Sequence, residues 1–249
     1  MPSSDNVKVR VKNMTKYFGD LHVLDNISFD VRQGEFLCIV GPTGCGKTTF
    51  LNTLTHIYEA TSGEILVNGE PVDLKKHNIA YILQEYSAMP WLKVKENIRL
   101  GLEIKGLPEQ EIRQKAEAAV TMVGLEKFRD YYPRQLSASM LQRVVIARAF
   151  ATEPELLLMD EPYGQLDFEL RFQLEDELIR LWQQTATTVI FITHNIEEAV
   201  YLGERILVLT NKPAGIKEEI NNDLKRPRDI ASPEFVEIRN HVTDLIKWW

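Results

Sequence analysis

The chain has 249 residues, a formal net charge of -7 and a hydrophobic share of 44%. That length suits one large α/β domain, or a domain with a subdomain inserted, and the apolar share suits a globular core. The acidic balance argues against nucleic acid as the main partner, because phosphate backbones attract basic surfaces. Two cysteines, Cys38 and Cys45, make no disulfide framework and fit a reducing compartment. No run approaches the ~18 apolar residues of a membrane-spanning helix. The first residues carry neither a basic nor an apolar stretch, so no signal peptide is expected. Any membrane role is therefore expected to work from the side, through partners.

In chain order, residues 7–11 alternate apolar and charged, the mark of a half-buried strand, and residues 27–31 alternate as well. Residues 36–40 are continuously apolar, as a strand buried on both faces would be. A Gly-rich turn and a helix over residues 47–55 follow, then a strand over 64–69 that closes in a turn. From about residue 92 to 151 the pattern becomes helical, with 109–122 rich in good helix formers. Buried strands are predicted at 156–159 and 189–192, with an amphipathic helix over 168–184 between them. A further strand at 206–209 precedes a helical C-terminus, from about 232, that ends in Trp248 and Trp249. These elements predict an α/β core interrupted by a helical insertion.

Gly41-Pro42-Thr43-Gly44-Cys45-Gly46-Lys47-Thr48, with Thr49 behind it, fits the P-loop pattern between a buried strand and a helix. Its glycines let backbone N–H groups turn inward around an anion, and the helix N-terminus adds partial positive charge. Lys47 is expected on the β- and γ-phosphates of a nucleotide, and the Thr48 hydroxyl on Mg²⁺. Cys45 reads as a small residue filling a loop position, with a reactive thiol as the alternative. Cys38 reads as core.

The apolar run 156–159 ends in Asp160-Glu161-Pro162. Strand ends line the ligand crevice of a parallel sheet. Asp160 is expected to support Mg²⁺ and Glu161 to act as general base on the attacking water. His194 ends the run 189–193 and is expected at the γ-phosphate. Gln84 follows a strand-like run at 80–83; a glutamine by itself assigns nothing there, and a role for its amide toward Mg²⁺ and the water rests on the family resemblance.

In this order the motifs resemble those of ABC transporter ATPase subunits, and the likeness runs from about residue 7 to 247. Lys16-Tyr17-Phe18-Gly19 resembles the loop whose aromatic stacks on adenine, which points to Phe18. Gln84 matches the Q-loop, and Ser137-Ala138-Ser139-Met140, within residues 135–143, matches the signature. Gly164-Gln165-Leu166-Asp167 matches the D-loop, with Asp167 its acidic member, and Thr193-His194 matches the switch. Met89-Pro90-Trp91-Leu92, together with the stretches 224–229 and 232–235, is similar to the importer branch for nitrate, sulfonate and taurine.

The resemblance implies a P-loop NTPase (RecA-like) α/β core with an N-terminal antiparallel β subdomain. In that single ABC domain, 1–86 and 155–249 form the catalytic core and about 87–154 the helical subdomain. It also implies ATP and Mg²⁺, and a second copy of the chain whose signature loop acts in trans. Permease subunits would dock around 84–92, and a solute-binding protein would act outside. The place implied is peripheral, on the cytoplasmic face of the cell membrane.

The signature departs from the family pattern. Two glycines usually follow the serine, and here Ala138 and Ser139 stand there. A regulatory subunit that binds ATP and hardly hydrolyses it is therefore the main alternative. A soluble ABC ATPase of DNA repair or translation is a weaker one, since neither a long coiled-coil insertion nor tandem domains are present. A GTPase is another rival, and Asn211-Lys212-Pro213-Ala214 lacks the aspartate that reads guanine.

Overall fold

The computed structural model describes residues 6–85, 87–164 and 166–246. Gln165 of the D-loop motif and the terminal Trp248 and Trp249 lie outside the described residues. The chain forms two compact units, Met1–His77 with Thr188–Trp249, and Asn78–Thr187.

The first unit opens with β1 (Val7–Phe18) and β2 (Leu21–Arg32), an antiparallel pair that β4 (Ser62–Val67) and β5 (Glu70–Pro71) extend on the other side of β1. This is the expected antiparallel subdomain. The simple alternation ends after Val11, because register shifts interrupt the strand there and Asn13 takes φ 48°. Asparagine tolerates that left-handed conformation better than most residues. The Asn13 N–H donates to Ser28 Oγ at 2.8 Å. At the far end Tyr17 faces His22 in register, and their rings stack at 4.1 Å.

In the same unit β3 (Phe36–Val40) lies between β8 (Thr188–Thr193) and β9 (Arg205–Leu209) and runs parallel to both. All residues of these three strands are buried, as continuous apolar runs predict. The β10 strand (Ile216–Asn221) pairs antiparallel with β9. Helices α1 (Lys47–Leu54), α6 (Ile196–Leu202) and α7 (Pro233–Ile246) complete the unit. Arg205 is buried and donates to Glu35 at 2.7 Å and to Glu219 at 2.8 Å. Pairing of this kind is what allows a charge into a core.

The stretch 224–229, read as a branch marker, has a structural part in this unit. Arg228 is buried and donates to the carbonyls of Val200, Tyr201 and Gly203 at 2.8, 2.9 and 2.7 Å. Arg226 donates to those of Tyr201 and Leu202. Together they satisfy the carbonyls that the end of α6 leaves open. Burial pulls the Arg228 guanidinium down to about 10.

The second unit pairs β6 (Ile79–Ile82) with β7 (Leu156–Asp160) in parallel. The unit also holds α2 (Val94–Ile104), α3 (Glu109–Met122), α4 (Ala138–Ala151) and α5 (Phe168–Thr185). Val94, Ile98, Leu102, Ile112, Val120 and Val144 belong to one buried cluster, so α2, α3 and α4 share a core of their own. Among the described residues no helix is long and apolar enough to cross a membrane.

Candidate nucleotide site

The Gly41–Gly46 loop leaves the buried end of β3 and enters α1, with Gly46 as the N-cap. Gly46 has φ 122°, and a Cβ there would meet Leu24 Cδ2 and Val23 Cγ1 at 2.9 Å. A Cβ on Gly41 would meet Leu209 Cβ at 3.0 Å and Cys45 Sγ at 3.1 Å. Only glycine lets the chain turn this tightly into the helix. The first N–H groups of α1 have no intrahelical partner by geometry, and they carry the positive end of the helix dipole.

Lys47 is buried in the turn. It is 5% exposed, and its ammonium donates to Gly41 O at 3.0 Å and to Pro42 O at 3.3 Å. The cation is thus held inside the Gly41–Gly46 turn. Thr43, Gly44 and Thr48 are exposed, Thr49 is partly so and Pro42 is buried. Cys45 is 2% exposed, and burial pushes its thiol up. That favours the space-filling reading over the reactive one. Cys38 is buried in β3 as expected.

Two more expected residues belong to this unit. Phe18 ends β1 and is 40% exposed. His194 is exposed between the last residue of β8 and Asn195, the N-cap of α6. Asn195 fixes that corner: its Oδ1 accepts from the N–H groups of Glu197 and Glu198 at 3.0 and 3.3 Å, and its own N–H donates to Thr193 Oγ1 at 2.9 Å.

In the second unit Asp160 ends β7 and is buried, with the Tyr81 hydroxyl 3.5 Å from its Oδ2. Glu161 follows at φ 46°, a left-handed conformation unusual for a side chain without a local reason. Such backbone costs about 1–2 kcal/mol, and it persists where surrounding structure imposes it, often at functional sites. It turns Glu161 off the line of the strand. The exposed Gln84 donates from its amide to Glu161 Oε2 at 3.5 Å, a weak contact. The structure therefore brings Gln84, Asp160 and Glu161 to one end of the β6–β7 pair.

Ser137 is the N-cap of α4 and its Oγ accepts from the Met140 N–H at 3.3 Å. Ser137 Oγ and Ser139 Oγ are 3.1 Å apart. Ala138 is exposed, and Ser139 and Met140 are partly so, in the first turn. Asp167 likewise caps α5, accepting from Leu170 N at 3.0 Å. Both motifs thus present helix starts, which the cap residues Ser and Asp signal in sequence.

Sequence reasoning missed Asn97, which is fully buried. Its Nδ2 donates to the carbonyls of Met89, Leu92 and Lys93 at 3.1, 2.9 and 3.2 Å, and its Oδ1 accepts from Met89 N at 2.7 Å. Arg148 donates to Ser87 O at 2.8 Å on the same stretch. This clamp leaves Trp91 69% exposed. A tryptophan packed in the helical core is thereby excluded.

Among the described residues no three His, Cys, Asp or Glu side chains gather as a metal cage. Magnesium favours oxygen ligands and usually relies on substrate phosphates and water. The Thr48 hydroxyl beside the phosphate turn, and the carboxylate of Asp160 and amide oxygen of Gln84 in the second unit, fit that chemistry by donor type.

A glycine-rich turn of the P-loop pattern between a buried strand and a helix is the mark of a nucleotide-binding class. The family model described as ABC transporter matches residues 24–164. An ABC transporter ATP-binding protein of Methanocaldococcus jannaschii is 44% identical over 97% of this chain and 92% of its own length. The aliphatic sulfonates import ATP-binding protein SsuB of Bacillus cereus is 40% identical over 96% of each chain. Among solved structures, the dimeric structure of a bacterial ABC transporter cassette has a TM-score of 0.76 at 32% identity, covering 87% of this chain and 100% of that one. A dimeric cassette in a post-hydrolysis state with ADP and Pi has a TM-score of 0.75 at 31% identity, with the same coverage. The chain belongs to the ABC transporter family, and is an ATP-binding ATPase subunit of that family.

Proposed function

We propose that this ATPase powers an importer for a small solute, with nitrate, sulfonates and taurine as the candidate class. The full-length likeness to an aliphatic sulfonates import subunit carries that reading. Two copies would sandwich two ATP molecules, each nucleotide meeting the P-loop of one copy and the signature loop of the other. Phe18 would stack on adenine, residues 41–49 would cradle the phosphates, and His194 would contact the γ-phosphate. Asp160, Thr48 and Gln84 would hold Mg²⁺, which neutralises charge on the β- and γ-oxygens. Glu161 would take the proton of the attacking water. The subunit would work peripherally, on the cytoplasmic face of the membrane, with permease subunits and, through them, an external solute-binding protein.

The exposed Trp91, held out by the Asn97 clamp, is the residue assigned to permease docking. In proteoliposomes with permease and solute-binding protein, ATP turnover should rise when an alkyl sulfonate is supplied. Trp91→Ala should lose that stimulation and weaken complex formation while keeping nucleotide affinity. Turnover indifferent to every solute of the class would refute the importer reading. An unchanged Trp91→Ala complex would refute the docking role.

The signature loop supports a second reading, a slow or regulatory ATPase. Ala138 and Ser139 add β-carbons at the start of α4, and Ser139 Oγ lies within hydrogen-bond reach of Ser137 Oγ. A side chain in that first turn limits backbone approach to the γ-phosphate held by the other copy. Losing one hydrogen bond to a transition state costs roughly 10²–10³ in rate in comparable sites, and a lengthened one costs less. Restoring glycine at both positions should therefore raise turnover and tighten the ATP-bound dimer, with little change in monomer affinity. The opposing term is about 0.5–1 kcal/mol of helix stability per glycine. Equal turnover in a well-folded double variant with permease present would remove this reading.

A further inference from the structure

Exposed aromatic rings meet where β1 ends and the turn after α1 passes. The Phe18 and Tyr58 centroids are 5.1 Å apart with ring planes at 89°. The Lys16 ammonium lies 4.7 Å from the Phe18 centroid and 5.8 Å from that of Tyr58. It also donates to Glu59 O at 2.6 Å. A triangle of 4.7, 5.1 and 5.8 Å is nearly equilateral, so Tyr58 and the ammonium occupy neighbouring sides of the Phe18 ring. They do not face each other across it.

The backbone holds this group to the P-loop helix. Tyr17 N donates to Thr61 Oγ1 at 2.9 Å, and Thr61 N to Thr15 O at 2.9 Å. Tyr58 N donates to Asn52 O, within α1, at 3.0 Å. The end of β1 is thus registered against the helix that starts at Lys47. Phe18 and Tyr58 nevertheless stay 40% and 37% exposed, so burial in a core does not account for the arrangement.

We propose that Tyr58 and Lys16 are positioning residues for the nucleotide base: they fix the Phe18 ring so that one face stays open to a flat purine. This rests on the reading of Phe18 as the adenine-stacking residue. Aromatic rings prefer edge-to-face contact with one another, and a cation over one face is attracted by the ring quadrupole. Each contact removes freedom that Phe18 would otherwise lose on binding. The base gains affinity from a ring already in place.

The test is calorimetry on the full chain with two probes, Mg-ATP and Mg-tripolyphosphate, which lacks the base. Tyr58→Ala should weaken ATP binding about 3- to 10-fold and leave tripolyphosphate binding unchanged. Lys16→Met, which keeps the stem and loses the ammonium, should act in the same direction. Tyr58→Phe keeps the ring contact and should bind ATP as the wild type does. Phe18→Ala should weaken ATP binding about 5- to 100-fold. Equal loss for both probes in Tyr58→Ala would mean the turn merely supports the P-loop, and would overturn the proposal. So would an unchanged ATP affinity in Tyr58→Ala while Phe18→Ala loses it. If Phe18→Ala itself leaves ATP affinity intact, the adenine reading fails and this inference with it.

Discussion

Lys47→Ala is expected to lose tight Mg-ATP binding while the chain still folds. The ammonium is a point charge already lodged in the turn proposed to hold the phosphates, 3.0 Å from Gly41 O. Removing one partner of a desolvated charge contact costs about 2–5 kcal/mol, or roughly 30-fold to several thousand-fold in affinity. The cost to folding is smaller. The Gly41 and Pro42 carbonyls lose a charged donor, worth about 1–3 kcal/mol. Pro42 O retains the Cys45 N–H at 3.1 Å, and Phe50 N still donates to Gly46 O at 2.9 Å, so the entry to α1 survives. Calorimetry should show the loss of affinity, and thermal melting without nucleotide should show a modest downward shift. Equal affinity in the two proteins would remove Lys47 from the phosphate cradle.

The strongest sequence signals were local and chemical. The P-loop spacing needs glycines where the turn permits nothing larger, and Gly46 with its blocked Cβ shows why. Continuous apolar runs marked β3, β7, β8 and β9, because strands covered on both faces have no polar side to display. The helix α3 spans Glu109–Met122, the range its composition predicts.

What stayed illegible depends on partners distant in sequence or on backbone torsion. The β10 strand carries Lys217, Glu218 and Glu219 and half-exposed apolar residues, so its pairing with β9 supplies what its own pattern does not. The helix α6 has seven residues, too few for a clear period, and the arginines that bind its last carbonyls lie at 226 and 228. Asn97 is one polar residue on an amphipathic helix, and nothing in its neighbours announces that it clamps the turn before α2. Tyr58 reads as a loop aromatic until Phe18 is found beside it. The positive φ of Glu161 has no signal at all, since glutamate is a poor predictor of a left-handed residue.

That torsion bears on the expected behaviour of Glu161→Gln, which should bind ATP normally and hydrolyse it roughly 10²–10⁴-fold more slowly. The amide is close to isosteric with the carboxylate, so the turn after β7 has no steric reason to relax. Its oxygen can still accept from the Gln84 amide, now at 3.5 Å. What it cannot do is take the proton of the attacking water. The strained backbone sharpens the comparison, because both side chains meet the same left-handed penalty and the variant isolates proton transfer from position. With hydrolysis blocked and binding intact, ATP should hold the closed pair of subunits together. Single-turnover kinetics should show the slow chemical step, and size-exclusion chromatography with Mg-ATP should show a dimer that the wild type exhausts as it turns over. Undiminished turnover in Glu161→Gln would place the base elsewhere, with His194 at the end of β8 the next residue to replace.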